Sequence, residues 1–318
     1  MISLIQVGIC LASFVVSTNG AAITYPQDSG AKRKHDLASA SKGKLVVFGD
    51  SFSDNGSGAW TASNHTWPSD PAYYGHRFSN GPVWVENLSE KLGMELDDNA
   101  IGGATSNNSV VQGFTGLKST IPVYSMVDQV TAYLNGGKVS SEDLFIIMIG
   151  ANDALFKYSM DGVIPAISDA IYSLNKQGAT KFIIASSPNL GRLPLRAFSS
   201  PTSSETLEQL SLALERSLLT LRYGFCRTSD IQVGYVDAYA LFRDMMLTPM
   251  DYGFNPKTIE KSCLVGAYSE APRKVCDDPD KYLFWDEYHP TRVAHRYIAA
   301  LAWKASQILC NNDVDDQT

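Results

Sequence analysis

Ser51 stands one polar residue beyond the apolar run Lys44 to Gly49, in the turn Gly49-Asp50-Ser51-Phe52-Ser53-Asp54-Asn55-Gly56, which is too polar to be core. A serine hydroxyl is barely ionised at neutral pH and attacks a carbonyl only when a base takes its proton. Five histidines are available. His35 falls in an N-terminal segment with processing signals, His65 and His76 in a long aromatic loop, and His295 inside the last helical stretch. His289 differs: it lies in Trp285-Asp286-Glu287-Tyr288-His289-Pro290-Thr291, just ahead of that helix, with a carboxylate three residues upstream. A turn of that size can fold Asp286 onto the imidazole nitrogen facing away from serine, which fixes the tautomer and stabilises the imidazolium. Glu287 is the rival orienter, with poorer geometry from its adjacent position. A plain helix start, with Thr291 as cap and His289 exposed, is the other reading of the segment.

Acyl transfer also needs donors preorganised for a developing oxyanion. Two stretches offer them. Asn99-Ala100-Ile101-Gly102-Gly103-Ala104-Thr105 carries paired glycines that let backbone N–H groups approach a ligand, and Gly150-Ala151-Asn152-Asp153 sets an amide at the mouth of an apolar strand. Taken singly, the glycines also suit a simple turn, and Asn152 or Asp153 a helix cap. Asp50, Asn152, Asp153 and His289 together allow a split metal site, but without the further histidines that such sites use.

In their order, the segments G-D-S-F-S-D-N-G, N-A-I-G-G-A-T, G-A-N-D and D-E-Y-H-P resemble the four blocks of the GDSL or SGNH hydrolases. The stretch Phe78 to Glu86 is similar to one in their secreted fungal esterase branch, including carbohydrate esterase family sixteen. The resemblance spans most of residues 44–309 and implies an ester hydrolase. It would make Ser51 nucleophile and first oxyanion donor, Gly103 the second donor and Asn152 the third, with His289 as base and Asp286 as its partner. The doubled glycine leaves Gly102 open beside Gly103. Phe52 stands where the name-giving motif has Leu, an apolar exchange that touches no catalytic role. The elbow G-x-S-x-G of the α/β-hydrolases occurs nowhere in the chain. Acetylated oligosaccharides are the substrates the resemblance favours, with lipid esters as the alternative; a silent carbohydrate-binding module is the non-enzymatic reading. No cofactor is called for.

The elements that must bring these residues together are also readable. Lys44 to Gly49, Leu144 to Gly150 and Lys181 to Ser186 are continuous β-branched and aromatic runs, as in strands buried on both faces of a parallel sheet, and Ile231 to Val236 is a weaker fourth. Helical periodicity marks Pro82 to Leu92, Val123 to Leu134, Asp161 to Lys176, Ser203 to Tyr223 and Thr291 to Leu309. Pro82 suits a first helical turn, and Gly178 a C-terminal stop. The alternation implies one α/β domain over residues 44–310, a three-layer α/β/α sandwich of flavodoxin-like type with a mainly parallel sheet, and sites at the carboxyl ends of its strands. Two long loops, about 53–81 and 248–283, interrupt it. Trp60, Trp67, Tyr73, Tyr74 and Phe78 in the first suit either a substrate groove or a miniature core that keeps the loop folded.

Composition bounds the partners. The 318 residues are 44% hydrophobic and 19% charged, ordinary for a globular chain, and the net charge of −7 is the wrong sign for a nucleic-acid surface. Apolar Leu4 to Val16 followed by small Gly20, Ala21 and Ala22 reads as a secretion signal over residues 1–22, too short for a membrane span. Lys32-Arg33 offers a dibasic site, which makes the segment 23–43 a candidate pro-segment up to Arg33; 311–318 is a tail. Export predicts two disulfides among Cys226, Cys263, Cys276 and Cys310, with three pairings open; Cys263 with Cys276, stapling a loop rich in Pro, Gly and charge, is favoured, which leaves Cys226 with Cys310. Zinc is the competing use of these cysteines, but there is no C-x-x-C pair. Sequons at Asn55, Asn64, Asn87 and Asn107 agree with a secreted glycoprotein, although Asn55 sits close to Ser51. The expectation is a secreted monomer that binds a small or oligosaccharide ester.

Overall fold

A computed structural model describes residues 43–310 except 137, 229 and 269. The expected signal, all but the last residue of the segment 23–43, and the tail lie outside the described residues.

Five strands form one fully parallel sheet: β1 (Lys44–Gly49), β2 (Glu95–Asp98), β3 (Leu144–Met148), β4 (Lys181–Ala185) and β5 (Gln232–Val236), in the order β2-β1-β3-β4-β5. The unbroken apolar runs have the cause expected of them, because alternate residues go to two separate cores. Leu45 and Val47 of β1 join Leu144, Ile146 and Met148 of β3 on one face. Val46 and Phe48 join Phe145 and Ile147 on the other. Each such fully buried side chain contributes about 1.5–3 kcal/mol over its exposed state.

Helices α2 (Trp84–Leu92), α7 (Ala238–Leu247) and α8 (Arg292–Gln307) cover the first face, and α3 (Met126–Gly136) and α5 (Val163–Asn175) the second. The long α6 (Pro201–Thr228) serves both, with Leu207 in the first core and Leu214, Leu218 and Phe225 in the second. The expected three-layer sandwich is the observed one. Two short helices, α1 (Gly58–Ala62) and α4 (Ala151–Lys157), follow β1 and β3. The edge strand β2, with sequence Glu-Leu-Asp-Asp, and helix α7 carried no expectation; α7 starts where the Asp237 side chain accepts from the Ala240 N–H. Among the described residues no helix is long and apolar enough to cross a membrane.

This strand order has a consequence for function. From β1 the chain goes to β2 on one side, and β3 then lies on the other, so the carboxyl ends of β1 and β3 border a crevice. Ser51 follows β1 and Asn152 follows β3.

The long loops are not slack. Trp67, Tyr73 and Phe78 of the first bury against Cys263 and Leu264 of the second and against Trp285, making a third small core. The miniature-core reading of the aromatic loop thus describes these three residues, although Trp67 and Phe78 also reach a cavity wall, while Trp60 stacks on His76 with ring centroids 3.5 Å apart. Both disulfides pair as expected: Cys263–Cys276 staples the second loop, and Cys226–Cys310 ties the end of α6 to the residue that bridges Val233 of the edge strand β5. Of the sequon asparagines only Asn64 is exposed.

The Cys226–Cys310 bridge closes a loop with a sequence separation of 84. Replacing both cysteines by serine is expected to lower stability by about 2–4 kcal/mol through the freed unfolded chain. Denaturant midpoints under non-reducing conditions check this; an unchanged midpoint contradicts it.

Candidate active site

The structure brings Ser51, Asp286 and His289 into one hydrogen-bonded line. His289 Nε2 lies 2.8 Å from Ser51 Oγ across 238 positions of sequence, and His289 Nδ1 lies 2.9 and 2.8 Å from the two Asp286 oxygens. The turn that carries the pair closes on itself: Trp285 N–H donates to the His289 carbonyl, while the N–H groups of Tyr288 and His289 donate to Asp286 Oδ1, each at 2.8 Å. Thr291 starts α8 but spends its hydroxyl on the Tyr282 carbonyl, and His289 is 5% exposed. The plain helix-start reading therefore fails. Glu287 turns away from the imidazole toward Arg273, at 3.2 Å.

Asp286 has no exposed surface. Burial works against its charge, but the adjacent imidazole and hydrogen bonds from His289, Tyr73 and the Tyr288 N–H outweigh it and hold the carboxyl below the usual carboxylate range. The ring of His289 is flanked by Phe78, Phe52 and Tyr288 at centroid distances of 4.9, 6.0 and 6.0 Å. The other described histidines stand apart from this line. His295 is fully buried, accepts from the Trp84 N–H through Nδ1, and is pushed by that burial down to about 3, so it stays neutral.

The glycine stretch is tied to the strand ends on both sides. Asn99 and Ile101 donate to the Val47 and Gly49 carbonyls, extending the β2 ladder along β1, and Gln129 from α3 pairs with both backbone groups of Gly49 at 2.9 Å. Asp54 gathers the N–H groups of Gly56, Gly58, Ala59 and Gly102 on its two oxygens. Beyond the glycines, Ser106 donates to Asp153 through both N–H and hydroxyl, so Asp153 is committed to holding this loop against α4.

That bonding separates the two glycines. The Gly102 N–H is spent on Asp54 at 2.8 Å, whereas among the described residues no hydrogen bond takes up the N–H of Gly103 or of Ser51. Asn152 uses one amide hydrogen on the Ala104 carbonyl at 2.8 Å and has a second. Gly103 sits at φ +93°, where a Cβ would collide with the Phe114 carbonyl. Only glycine fits there without strain.

Ser51, Gly103, Asn152 and His289 line one cavity of about 260 Å³. One part of its wall is aliphatic, with Leu155 of α4, Leu190, Leu193 and Leu195 from the segment after β4, and Leu207 of α6. Another part is aromatic and includes Trp67, Tyr268 and Tyr288. Two side chains adjoin the line from behind: Tyr73, marked in the sequence only as one of the loop aromatics, whose hydroxyl lies 2.6 Å from Asp286 Oδ2, and Arg273, which no local sequence signal marked and which donates to the Tyr73 oxygen.

Asp50, next to Ser51, is buried and pushed from its ordinary 3.8 to about 7, chiefly by desolvation. A carboxyl raised in the fold stabilises it below the unfolded value, and that contribution is lost as pH climbs from 3.8 towards 7. Asp50→Asn, which keeps an acceptor for the Phe52 N–H, is expected to gain stability over the parent progressively across that window and level off above it. Urea midpoints of both proteins at four pH values check this, and a pH-independent difference contradicts it.

The chain is similar to several known proteins. The model of the GDSL-like lipase/acylhydrolase family matches residues 45–302. The thermolabile hemolysin of Vibrio parahaemolyticus is 26% identical over 84% of this chain and 64% of its own, so the chain spans under two thirds of that relative. The phosphatidylcholine-sterol acyltransferase of Aeromonas hydrophila is 28% identical over 84% of this chain and 90% of its own. A solved member of the lipolytic G-D-S-L family from Veillonella parvula superposes with a TM-score of 0.47 at 13% identity, covering 84% of this chain and all of that one. Similar proteins also include GDSL esterases of the plant Arabidopsis thaliana, and the finer likeness to the fungal carbohydrate-esterase branch stands as a resemblance of residues 78–86. With more than three quarters of its length matched by the family model and the four blocks meeting in one cavity, the chain belongs to the GDSL-like lipase/acylhydrolase family.

Proposed function

We propose that the protein is a secreted serine ester hydrolase that works through an acyl-enzyme on Ser51, and that its preferred acyl group is an aliphatic chain longer than acetyl. The observation that carries the mechanism is the 2.8 Å contact between His289 Nε2 and Ser51 Oγ beside two uncommitted backbone N–H groups. His289 takes the hydroxyl proton as Ser51 attacks the ester carbonyl. The N–H groups of Ser51 and Gly103 and the Asn152 amide bind the oxyanion, a choice of Gly103 over Gly102 supported by the bond of the Gly102 N–H to Asp54. The alcohol leaves with the proton from His289, and water repeats the attack on the acyl-enzyme. Asp286, held charged, keeps the imidazole proton on Nδ1 throughout. The two disulfides support an oxidising, extracellular setting.

The acyl preference follows from the leucine wall. An acetyl methyl, comparable in size to a water of about 30 Å³, would leave most of the cavity unfilled. A longer chain buries about 0.8 kcal/mol per methylene against leucines. A relative named for phosphatidylcholine agrees with a lipid-type donor. Acetylated oligosaccharides remain the second reading, favoured by Trp67 and Tyr268 on the aromatic wall, which suit the face of a sugar ring.

Ser51→Ala is expected to abolish hydrolysis of p-nitrophenyl esters with an unchanged melting temperature, and Asn152→Ala to lower kcat about a hundredfold or more with a small effect on KM. Undiminished turnover in Ser51→Ala discards the mechanism. In a chain-length series, kcat/KM for the octanoyl ester is expected to exceed that for the acetyl ester by at least about tenfold. A maximum at acetyl, together with deacetylation of oligosaccharides, replaces the lipid reading with the carbohydrate one.

A further inference from the structure

Behind the proposed triad the hydrogen bonding continues. Tyr73 OH lies 2.6 Å from Asp286 Oδ2, and Arg273 Nη2 reaches the same phenol oxygen. A guanidinium has only donors, so the phenol oxygen accepts from Arg273 and its own proton has one place to go, the Asp286 carboxylate. Arg273 is itself clamped. Its backbone N–H and Nε reach Asp70 Oδ2 at 2.9 and 3.4 Å, its Nη1 reaches Glu287 Oε2 at 3.2 Å, and its guanidinium lies over the rings of Tyr73 and Tyr268. Its side chain is 1% exposed, and it is delivered by the loop that Cys263–Cys276 staples.

Building on the Ser51 mechanism above, we infer that Tyr73 and Arg273 are positioning residues that extend the triad to Arg273–Tyr73–Asp286–His289–Ser51 and set the basicity of His289 through Asp286. The phenol draws charge from the carboxylate oxygen that faces Nδ1, and the guanidinium behind it opposes the imidazolium. Water in place of the phenol would rotate freely; Arg273 makes the donation one-directional. Other charged or titratable groups also face this line. Asp50 and His295 act on His289 from the turn after β1 and from α8. Tyr268 of the stapled loop, and Glu287 and Tyr288 of the turn itself, surround Asp286. Glu287 is paired with Arg273, and among the described residues neither Tyr268 nor Tyr288 donates to Asp286 through its hydroxyl, which leaves Tyr73 as the phenol through which Arg273 reaches the carboxylate.

The test is the pH dependence of kcat/KM on the p-nitrophenyl ester that the parent turns over best. Tyr73→Phe, with parental near-UV circular dichroism, is expected to move the acid limb upward by about half a unit or more, because the carboxylate left behind is more basic and keeps His289 protonated to higher pH. Arg273→Gln is expected to move the limb in the same direction in the parent and by clearly less in the Tyr73→Phe background, since part of its effect passes through the phenol. An acid limb identical in Tyr73→Phe and parent overturns the inference, as does an Arg273→Gln shift that persists in full without the phenol. If Arg273→Gln does not fold, Tyr73→Phe decides alone. An inactive Ser51→Ala alongside an unshifted Tyr73→Phe removes only this inference, whereas an active Ser51→Ala removes the mechanism beneath it.

Discussion

A carboxylate with no exposed surface stays charged only if nearly every lone pair meets a donor, and Asp286 imposes that demand on the site. Its oxygens collect two backbone N–H groups from its own turn, the imidazole of His289 and the phenol of Tyr73. Those contacts cannot be met by any one segment. They require the turn before α8 and the aromatic loop after β1 to arrive together, and the stapled loop carrying Arg273 backs the phenol of Tyr73. The third small core and the Cys263–Cys276 bridge are the packing that holds these loops in place. Deleting one donor would leave a buried charge under-compensated, which is costlier than losing an ordinary hydrogen bond.

The sheet supplies the other half of the site. Strand order β2-β1-β3-β4-β5 opens a crevice between the ends of β1 and β3, and the residues after those ends are Ser51 and Asn152. The glycine stretch reaches the same place by continuing the β2 ladder along β1, and Asp54 and Asp153 pin it from opposite sides. Donor allocation then does what sequence alone left open: a bond to Asp54 removes the Gly102 N–H from contention, and the positive φ of Gly103 sets its own apart from the ladder. Ser51, His289 and the proposed oxyanion donors thus stand on turns that hydrogen bonds tie to the sheet and to α4, an arrangement suited to preorganised electrostatics.

How much of this could be read in the chain depends on whether the cause is local. Strands β1, β3 and β4 were legible because burial on both faces demands unbroken apolar runs. Helix α5 was legible from its apolar stripe, and the four chemical segments from residue types that no core position needs. β2 was not legible: Glu-Leu-Asp-Asp has poor strand character, and pairing with β1 along one edge decides its conformation. Helix α7 was passed over because Asp237 caps it directly after a strand, with no intervening loop signal. Tyr73 and Arg273 lie 200 positions apart, and each reads locally as loop filling, an aromatic among aromatics and a charge among charges. Their meeting is a tertiary fact. Spacing left Asp286 and Glu287 as rivals, and the fold sets Asp286 against the imidazole and Glu287 against Arg273.

The central claim is that Ser51 becomes covalently attached to substrate because His289, held by Asp286, activates it. Incubation with an alkyl fluorophosphonate, followed by peptide mass spectrometry, tests this most directly. The expected result is one adduct per chain, on the peptide that contains Ser51, formed in step with loss of esterase activity. An adduct on a different residue, or full inactivation with Ser51 unmodified, contradicts the account.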